Sequence, residues 1–151
     1  MGNSNRVDVY LICNAAFHDT NFARLELLKL LAENDDLFVR VGEDYSDIDA
    51  IQNSQLLITY TCNLCPTEAE QEGLKTFLAG GGRWLALHGT NAIIEFVGEM
   101  QEVDGVKIPG KADTPNKAPL MMELLGSRFV AHPPNQTIRV TVTDPSHPLV
   151  K

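Results

Sequence analysis

The sequence predicts an α/β domain with a mainly parallel sheet, and two observations carry this prediction. Four short apolar runs, rich in β-branched residues, alternate with segments of helical periodicity, which is the pattern of a doubly wound sheet. Right-handed crossovers then place helices on both faces of the sheet. The length of 151 residues and the hydrophobic content of 44% suit one domain with a sizeable core.

The first part of the pattern reads strand, helix, strand. Residues 7–13 form a short buried strand that ends in a polar turn, and residues 21–33 repeat apolar side chains at helical spacing. Residues 37–41 form a second strand. Residues 42–52 form an acidic connection, which we expect to be solvated.

The next part repeats this order. Residues 56–60 form the third strand, and residues 67–79 form a helix that opens with a capping box. A glycine triplet ends that helix. The fourth strand covers residues 83–87 and runs directly into His88. Ligands bind such sheets outside the carboxyl ends of the strands, so His88 lies where a site is expected.

The last third of the chain is less regular. Residues 98–119 are rich in glycine and proline and have no clear period, which predicts a long surface loop. Residues 120–125 form a short helix. Residues 137–143 alternate between apolar and polar side chains, which predicts a strand at a sheet edge, followed by a turn at residues 144–148.

The charge balance excludes two classes of partner. Twenty acidic residues outnumber twelve basic ones, for a net charge of -8. This balance argues against binding to nucleic acid or to an anionic membrane surface, because both kinds of binding require clustered Lys and Arg. No apolar stretch is long enough to cross a bilayer. A small neutral or cationic ligand, or a protein partner, is compatible with this charge.

Cysteine usage and the N-terminus predict a cytoplasmic protein. Three cysteines are too few for a disulfide scaffold, and the polar N-terminus carries no secretory signal. Cys62 and Cys65 form a C-x-x-C, for which a redox pair, a structural zinc site and ordinary reduced thiols are the competing interpretations. The predicted helix begins after the second cysteine and no second C-x-x-C exists, so ordinary thiols are favoured.

Five short motifs occur in an order that spans nearly the whole chain. Phe17–His18–Asp19 follows the first strand, a turn at Thr61 follows the third, and a glycine triplet precedes the fourth strand and His88. Residues 125–133 and the Asp-Pro-Ser-His-Pro turn complete the set. In this ordered set the chain resembles the trehalose-utilisation (ThuA-like) family, within the class I glutamine-amidotransferase-like superfamily.

This resemblance implies a fold, an extent and a role. The implied fold is flavodoxin-like, with three α/β/α layers, and residues 1–151 form a single domain. The family domain continues beyond the turn at residues 144–148, so we expect this chain to lack the C-terminal part. The implied role is the use of trehalose-type disaccharides or their oxidised keto derivatives. The segment from Phe96 to Pro119 has no family counterpart that we can place.

His88 is the central candidate residue. It stands where related amidotransferases place a nucleophilic cysteine, at a sharp turn after a strand that exposes one side chain above the sheet. Gly89 beside it allows close backbone approach. With histidine instead of cysteine the thioester chemistry of glutamine hydrolysis is not available, so a glutaminase is not expected. A structural histidine that caps the following turn is the competing interpretation.

Three histidines are predicted to converge at the ends of the strands and to hold a divalent metal such as zinc: His18, His88 and His132. Asp19 would be a fourth ligand or would orient His18. The alternative is that the histidines bind a sugar directly, with one as general base. On either view His18, His88 and Asp19 are the catalytic candidates. His147 is predicted to be structural.

Uncharged hydrogen-bonding residues at the same edge are the candidates for binding sugar hydroxyls, with an aromatic ring to stack on the sugar. These predicted substrate-binding residues are Asn14, Phe17, Thr61, Asn63, Thr90 and Asn91. Tyr60 is a second candidate for the ring. The glycine triplet precedes a strand, whereas a phosphate-binding loop follows one, so no nucleotide cofactor is expected.

These observations leave three functional hypotheses. The first is an enzyme that acts on a disaccharide or keto-sugar as a metal-assisted hydrolase or isomerase. The second is a non-catalytic sugar-binding or interaction domain. The third is a redox protein that uses its C-x-x-C. A homo-oligomer that covers an exposed sheet edge is also expected.

Overall fold

A computed structural model describes residues 6–103, 105–132 and 136–150. Its centre is a four-stranded parallel sheet with the strand order β2-β1-β3-β4. The strands are β1 (Val7–Ala15), β2 (Leu37–Gly42), β3 (Leu56–Cys62) and β4 (Arg83–Leu87). All four predicted strands of this sheet are therefore present, and the prediction of a flavodoxin-like α/β fold is confirmed.

Helices cover both faces of this sheet. They are α1 (Thr20–Leu31), α2 (Ile48–Gln52), α3 (Glu68–Ala79) and α4 (Pro119–Leu125). The α1 side packs Leu31 against Val9, Leu11 and Ile58 of the central strands. The opposite side packs α2, α3 and α4 against the alternate residues of the same strands. Side chains on β1 and β3 are buried on both faces, which explains their continuous apolar sequences.

The edges of the sheet are less covered than its centre. In the described sheet β4 is hydrogen-bonded on one side, to β3, and Leu85 is 49% exposed. Phe38 on the opposite edge strand is also 49% exposed, with the guanidinium of Arg6 over its ring. A homo-oligomer that covers an edge stays a prediction, and molecular mass in solution is the measurement that tests it. No helix in the described ranges is long and apolar enough to cross a bilayer.

The capping box that the sequence predicts at the start of α3 is present. The hydroxyl of Thr67 accepts a hydrogen bond from the backbone N–H of Glu70, and the Glu70 carboxylate accepts one from the N–H of Thr67. Two of the four N–H groups that a helix leaves unpaired are thus satisfied. The short predicted helix at residues 120–125 is also present, as α4, and it ends at Gly126 in the left-handed conformation.

One prediction of a loop was wrong, and the acidic connection is partly helical. The acidic connection contains α2, whose first turn is capped by the carboxylate of Asp47. The predicted long loop is an antiparallel hairpin of β5 (Glu95–Val103) and β6 (Val106–Asp113). Gly98 lies at a bulge with a φ of 86° and Gly105 in the turn with a φ of 77°. The bulge shifts the side-chain alternation between the two halves of β5, which conceals the strand period in the sequence.

The strand predicted over residues 137–143 is not formed. These residues adopt no regular secondary structure, and Ile138 and Val140 are 73% and 83% exposed. An alternating segment forms a strand only where the edge of a neighbouring strand supplies hydrogen bonds. In the described structure no ladder pairs this segment with β4 or with the hairpin.

Replacement of Gly73 by alanine tests the packing of α3 on α2. A Cβ at this position would lie 2.1 Å from Cγ1 of Ile48. Alanine normally stabilises a helix interior relative to glycine, but overpacking reverses the sign here. We expect Gly73→Ala to lower the free energy of unfolding by about 1–2 kcal/mol in urea titrations.

The control is the same substitution in an Ile48→Ala background, where the obstructing side chain is absent. There we expect Gly73→Ala to be neutral or stabilising by up to about 1 kcal/mol. Equal destabilisation in both backgrounds would contradict the proposed packing.

Candidate functional site

Three loops at the carboxyl ends of β1, β3 and β4 share one backbone property. Phe17, Asn63 and His88 have φ values of 68°, 60° and 47°. Among the described residues other than glycine, these are the ones with positive φ. Such conformations cost about 1–3 kcal/mol each and persist only where the surroundings enforce them. The unfavourable backbone conformations are thus concentrated at the edge of the sheet where a site was predicted.

His18 and His88 are brought together as predicted. Their Nε2 atoms lie 2.6 Å apart, with ring centroids separated by 4.4 Å at 78°. Nδ1 of His18 lies 2.6 Å from the carbonyl oxygen of Ala16. A carbonyl only accepts, so Nδ1 of His18 carries the hydrogen and neutral His18 presents a bare Nε2 to its neighbour. The proton in the contact between the two rings is then donated by Nε2 of His88.

Tyr60 supports this histidine pair from β3. Its ring lies parallel to that of His88, with centroids 5.7 Å apart at 19°, and meets His18 edge-on at 6.2 Å. Burial lowers the pKa of His88 below its ordinary value of 6.5, and charge repulsion from His18 lowers it further. His88 is therefore held neutral near pH 7, which suits a proton acceptor.

A buried hydroxyl network lies beneath His88. Thr90 is 3% exposed, and its hydroxyl lies 2.9 Å from the carbonyl oxygen of Leu87 and 3.1 Å from that of Thr59. The hydroxyl of Thr59 accepts a hydrogen bond of 2.9 Å from the indole of Trp84. Thr90 was predicted to bind substrate. Its burial and its protein partners give it the structural role of fixing the turn that carries His88.

The turn that carries His88 lies close against the end of β3, at Thr61 and Cys62. Thr61 is 1% exposed, and its hydroxyl lies 3.5 Å from that of buried Tyr45. A Cβ on Gly89 would lie 3.1 Å from the carbonyl oxygen of Thr61 and 3.1 Å from Cβ of Cys62. Predicted as a sugar ligand, Thr61 instead lies inside the domain in this structure, while Gly89 permits the close approach that its sequence position suggested.

Asn63 anchors the hairpin. Its side-chain amide donates to the carbonyl of Ile94 at 2.9 Å, and its side-chain oxygen accepts from the N–H of Ile94. Its own N–H donates to the carbonyl of Ala92 at 3.0 Å. Predicted as a substrate ligand, Asn63 directs both ends of its amide at the backbone that leads into β5. Its preference for positive φ was the sequence signal for such a role.

The two other asparagines lie at the rim of the site. Asn14 is exposed and donates to the carbonyl of Glu43 at 3.0 Å, which ties the end of β1 to the end of β2. Asn91 is half-buried and donates to the hydroxyl of Ser127 at 3.0 Å. Each retains a side-chain carbonyl with acceptor capacity, and Asn14 is the more accessible of the two to a ligand.

Asp19 caps α1. Its carboxylate accepts a hydrogen bond of 2.9 Å from the N–H of Phe22. The group that orients His18 is the carbonyl of Ala16, a backbone group that residue-type patterns do not identify. Asp19 therefore stabilises the start of the helix that follows the His18 loop.

His132 packs against Phe129, with ring centroids 6.1 Å apart. Within residues 6–103, 105–132 and 136–150, no group of three His, Cys, Asp or Glu side chains is arranged to hold a metal ion. The metal set predicted from His18, His88 and His132 thus stays a prediction, with two of its three members in contact.

In the turn near the C-terminus, Nδ1 of His147 accepts from the N–H of Leu149 at 3.3 Å.

The cysteines are free thiols. Cys13 and Cys62 are buried and Cys65 is exposed. Burial is the main factor that raises the pKa of all three thiols above the ordinary value of 9.0. A redox-active cysteine requires a lowered pKa, so the structure favours ordinary thiols over the redox interpretation of the C-x-x-C.

The fold and the site define an α/β domain that carries a pair of imidazoles at the carboxyl edge of a parallel sheet. No protein-family model, curated protein or solved structure matches the chain. Any assignment of function therefore rests on the histidine pair and its surroundings.

The lowered pKa of His88 predicts a pH dependence of stability. The unfolded chain binds a proton on His88 at a higher pH than the folded chain does. Stability from neutral His88 is therefore fully present above about pH 6.5 and is lost as the pH falls below it. We expect the free energy of unfolding, measured in urea, to decrease more steeply from pH 7.5 to 5.5 in the wild type than in His88→Asn.

Asparagine is the matched replacement because it tolerates positive φ and does not titrate. An identical pH dependence in the two proteins would contradict a lowered pKa of His88.

Proposed function

We propose that this chain handles a trehalose-type disaccharide or its keto derivative at the edge formed by His18, His88 and Tyr60. The observation that carries the proposal is the 2.6 Å contact between the Nε2 atoms of the two histidines. Two imidazoles in this arrangement share one proton and exchange it with a bound molecule. The function is that of a carbohydrate-modifying enzyme of the trehalose-utilisation type.

The chemistry that the pair suits is proton transfer at a carbon beside a carbonyl. Neutral His88 is the base in this scheme, and its lowered pKa keeps it unprotonated near pH 7. Once protonated, it forms a cation that shares its hydrogen with the bare Nε2 of His18. Return of the proton to the former carbonyl carbon, together with transfer of the hydroxyl hydrogen on the deprotonated carbon to the former carbonyl oxygen, completes an isomerisation of a keto-sugar with no net change in atoms or electrons.

The polarity around the pair supports an uncharged, hydroxyl-rich ligand. Asn14 supplies an amide at the end of β1, and Phe17 supplies an exposed ring beside His18. The net charge of -8 disfavours phosphorylated and other anionic ligands. A neutral disaccharide satisfies the amide and imidazole groups through its hydroxyls and the ring through its C–H bonds.

Exchange of hydrogen for deuterium tests the proposed reaction without knowledge of the product. A keto derivative of trehalose is incubated with the protein in D₂O, and NMR follows deuterium uptake at the carbon beside the carbonyl. We expect uptake by the wild type and a rate lower by about 10²-fold or more in His88→Asn, because a general base contributes that much. His147→Asn should retain the wild-type rate.

The other outcomes are equally informative. Saturable binding of the sugar without deuterium uptake would favour the non-catalytic sugar-binding domain over the enzyme. The absence of both binding and uptake would overturn the proposed function.

A second candidate is a metal-dependent form of the same site. To hold a common zinc ion, His88 would have to give up the Nε2 hydrogen that it donates to His18, and the described residues provide no third side-chain ligand. The residues present thus supply two of the four ligands of a tetrahedral zinc ion. A zinc ion held by His18 and His88 would polarise a carbonyl oxygen of the sugar. The proton-transfer scheme above does not depend on it.

Elemental analysis distinguishes the two candidates. For the metal-dependent form we expect close to one zinc ion per chain after purification without added metal, its loss in His88→Asn and its retention in His147→Asn. Absence of metal from the wild type, together with no zinc binding in calorimetry, would reject this candidate and leave proton transfer by the histidine pair alone.

A further inference from the structure

Phe17 combines two unfavourable features, an exposed aromatic ring and a left-handed backbone conformation. Its side chain is 64% exposed, and its backbone has a φ of 68°. A bulky residue other than glycine is strained in this conformation, and its apolar surface remains in water. Turn residues such as Gly or Asn would remove both costs. Because the ring is mostly exposed, burial of its apolar surface does not offset these two costs.

Phe96 meets Phe17 across the edge of the site. The two ring centroids lie 5.5 Å apart with an interplanar angle of 77°, an edge-to-face contact. Phe96 is itself 51% exposed and belongs to β5, while Phe17 belongs to the loop after β1. Residues 79 positions apart in the sequence form one aromatic surface next to His18.

The hairpin holds Phe96 firmly in this position. Ile94, two residues before it, is bonded through both backbone groups to the side chain of Asn63. Glu95 forms an ion pair with Lys117. Phe96 pairs with Ala112 in the β-ladder. The bonds at Ile94 and Glu95 thus tie the base of the hairpin to the domain beside the exposed ring, and the ladder pair joins the two strands of the hairpin.

We propose that Phe17 and Phe96 form a binding subsite that stacks against the C–H face of a pyranose ring of the disaccharide. This inference rests on the proposed function, and it assigns to the hairpin the selection of the substrate. Aromatic rings carry negative charge on their faces, and the C–H bonds on one face of a pyranose are polarised positively. Phe17 is followed directly by His18, so a sugar on these rings has its neighbouring unit within reach of the histidine pair.

The geometry favours a sugar ring over a purely apolar ligand. The two rings meet at 77° and offer two surfaces in an open corner rather than an enclosed apolar pocket. The histidine pair follows Phe17 in the chain, so a ligand on these rings also meets a polar edge of imidazoles. An amphipathic ring with one C–H face and a rim of hydroxyls satisfies both kinds of surface.

Binding of trehalose to a set of variants, measured by calorimetry, tests the subsite. We expect Phe17→Ala and Phe96→Ala each to weaken binding by about three- to tenfold, the range that follows from aromatic contacts of this kind. Phe96→Trp should restore binding to within about twofold of the wild type, since it keeps the aromatic surface. Asn63→Gly, which keeps positive φ but releases Ile94, should weaken binding in the same direction.

Phe38→Ala is the matched control. Phe38 is a similarly exposed phenylalanine that pairs with Asp8 near the amino ends of the strands, away from the histidines. It should leave trehalose binding unchanged. Because Phe17 and Phe96 are both exposed, their alanine variants should unfold at the wild-type urea concentration within error.

The outcomes separate this inference from the function on which it rests. Wild-type binding that weakens in His88→Asn but not in Phe17→Ala or Phe96→Ala would overturn the subsite alone. Binding that weakens in the two phenylalanine variants but not in His88→Asn would support the subsite and remove the histidine pair from ligand binding. Failure of the wild type to bind trehalose or its keto derivative would overturn both.

Discussion

Parallel pairing of β1, β3 and β4 sets the level at which these three strands end, and the site depends on that level. Cys13 on β1 is in register with Tyr60 on β3, which in turn is in register with Leu87 on β4. His88 therefore leaves the sheet beside Tyr60. The loop after β1 is closed by the Thr20 side chain, which bonds the backbone of Ala15. A shift of one residue in either pairing would separate the two histidines.

Most polar groups near this edge of the sheet stabilise the protein itself. Thr90 and Thr61 are buried and make hydrogen bonds within the domain, Asp19 caps a helix, and Asn63 holds the hairpin. Buried polar groups must find partners, so residues that look like ligands in a sequence are often satisfied internally. What remains accessible is a small set in which imidazole and aromatic rings dominate.

The hairpin and the loops carry most of what distinguishes this domain from a plain parallel sheet. Three residues other than glycine adopt positive φ at the ends of the strands, and the core must offset the conformational cost. Leu11, Ile12 and Leu57 are fully buried in that core, and each such side chain contributes about 1.5–3 kcal/mol. The stable centre thus allows an edge that is locally unfavourable and chemically exposed.

The parallel sheet, its four strands and the start of α3 could be predicted from the sequence, which also places His18 and His88 at one edge of that sheet, although β3 separates the strands that they follow. These follow from local periodicity, a capping box and the rule that parallel strands end at a common edge, and each needs only short-range information. Short-range information was misleading at residues 137–143, because their alternation predicts a strand but a strand also requires a neighbouring edge with which to pair. No local pattern predicts the role of Asn63, the inward position of Thr61 or the contact of Phe17 with Phe96. These depend on which distant segments the chain brings together, and a bulged hairpin hides its period from any local pattern.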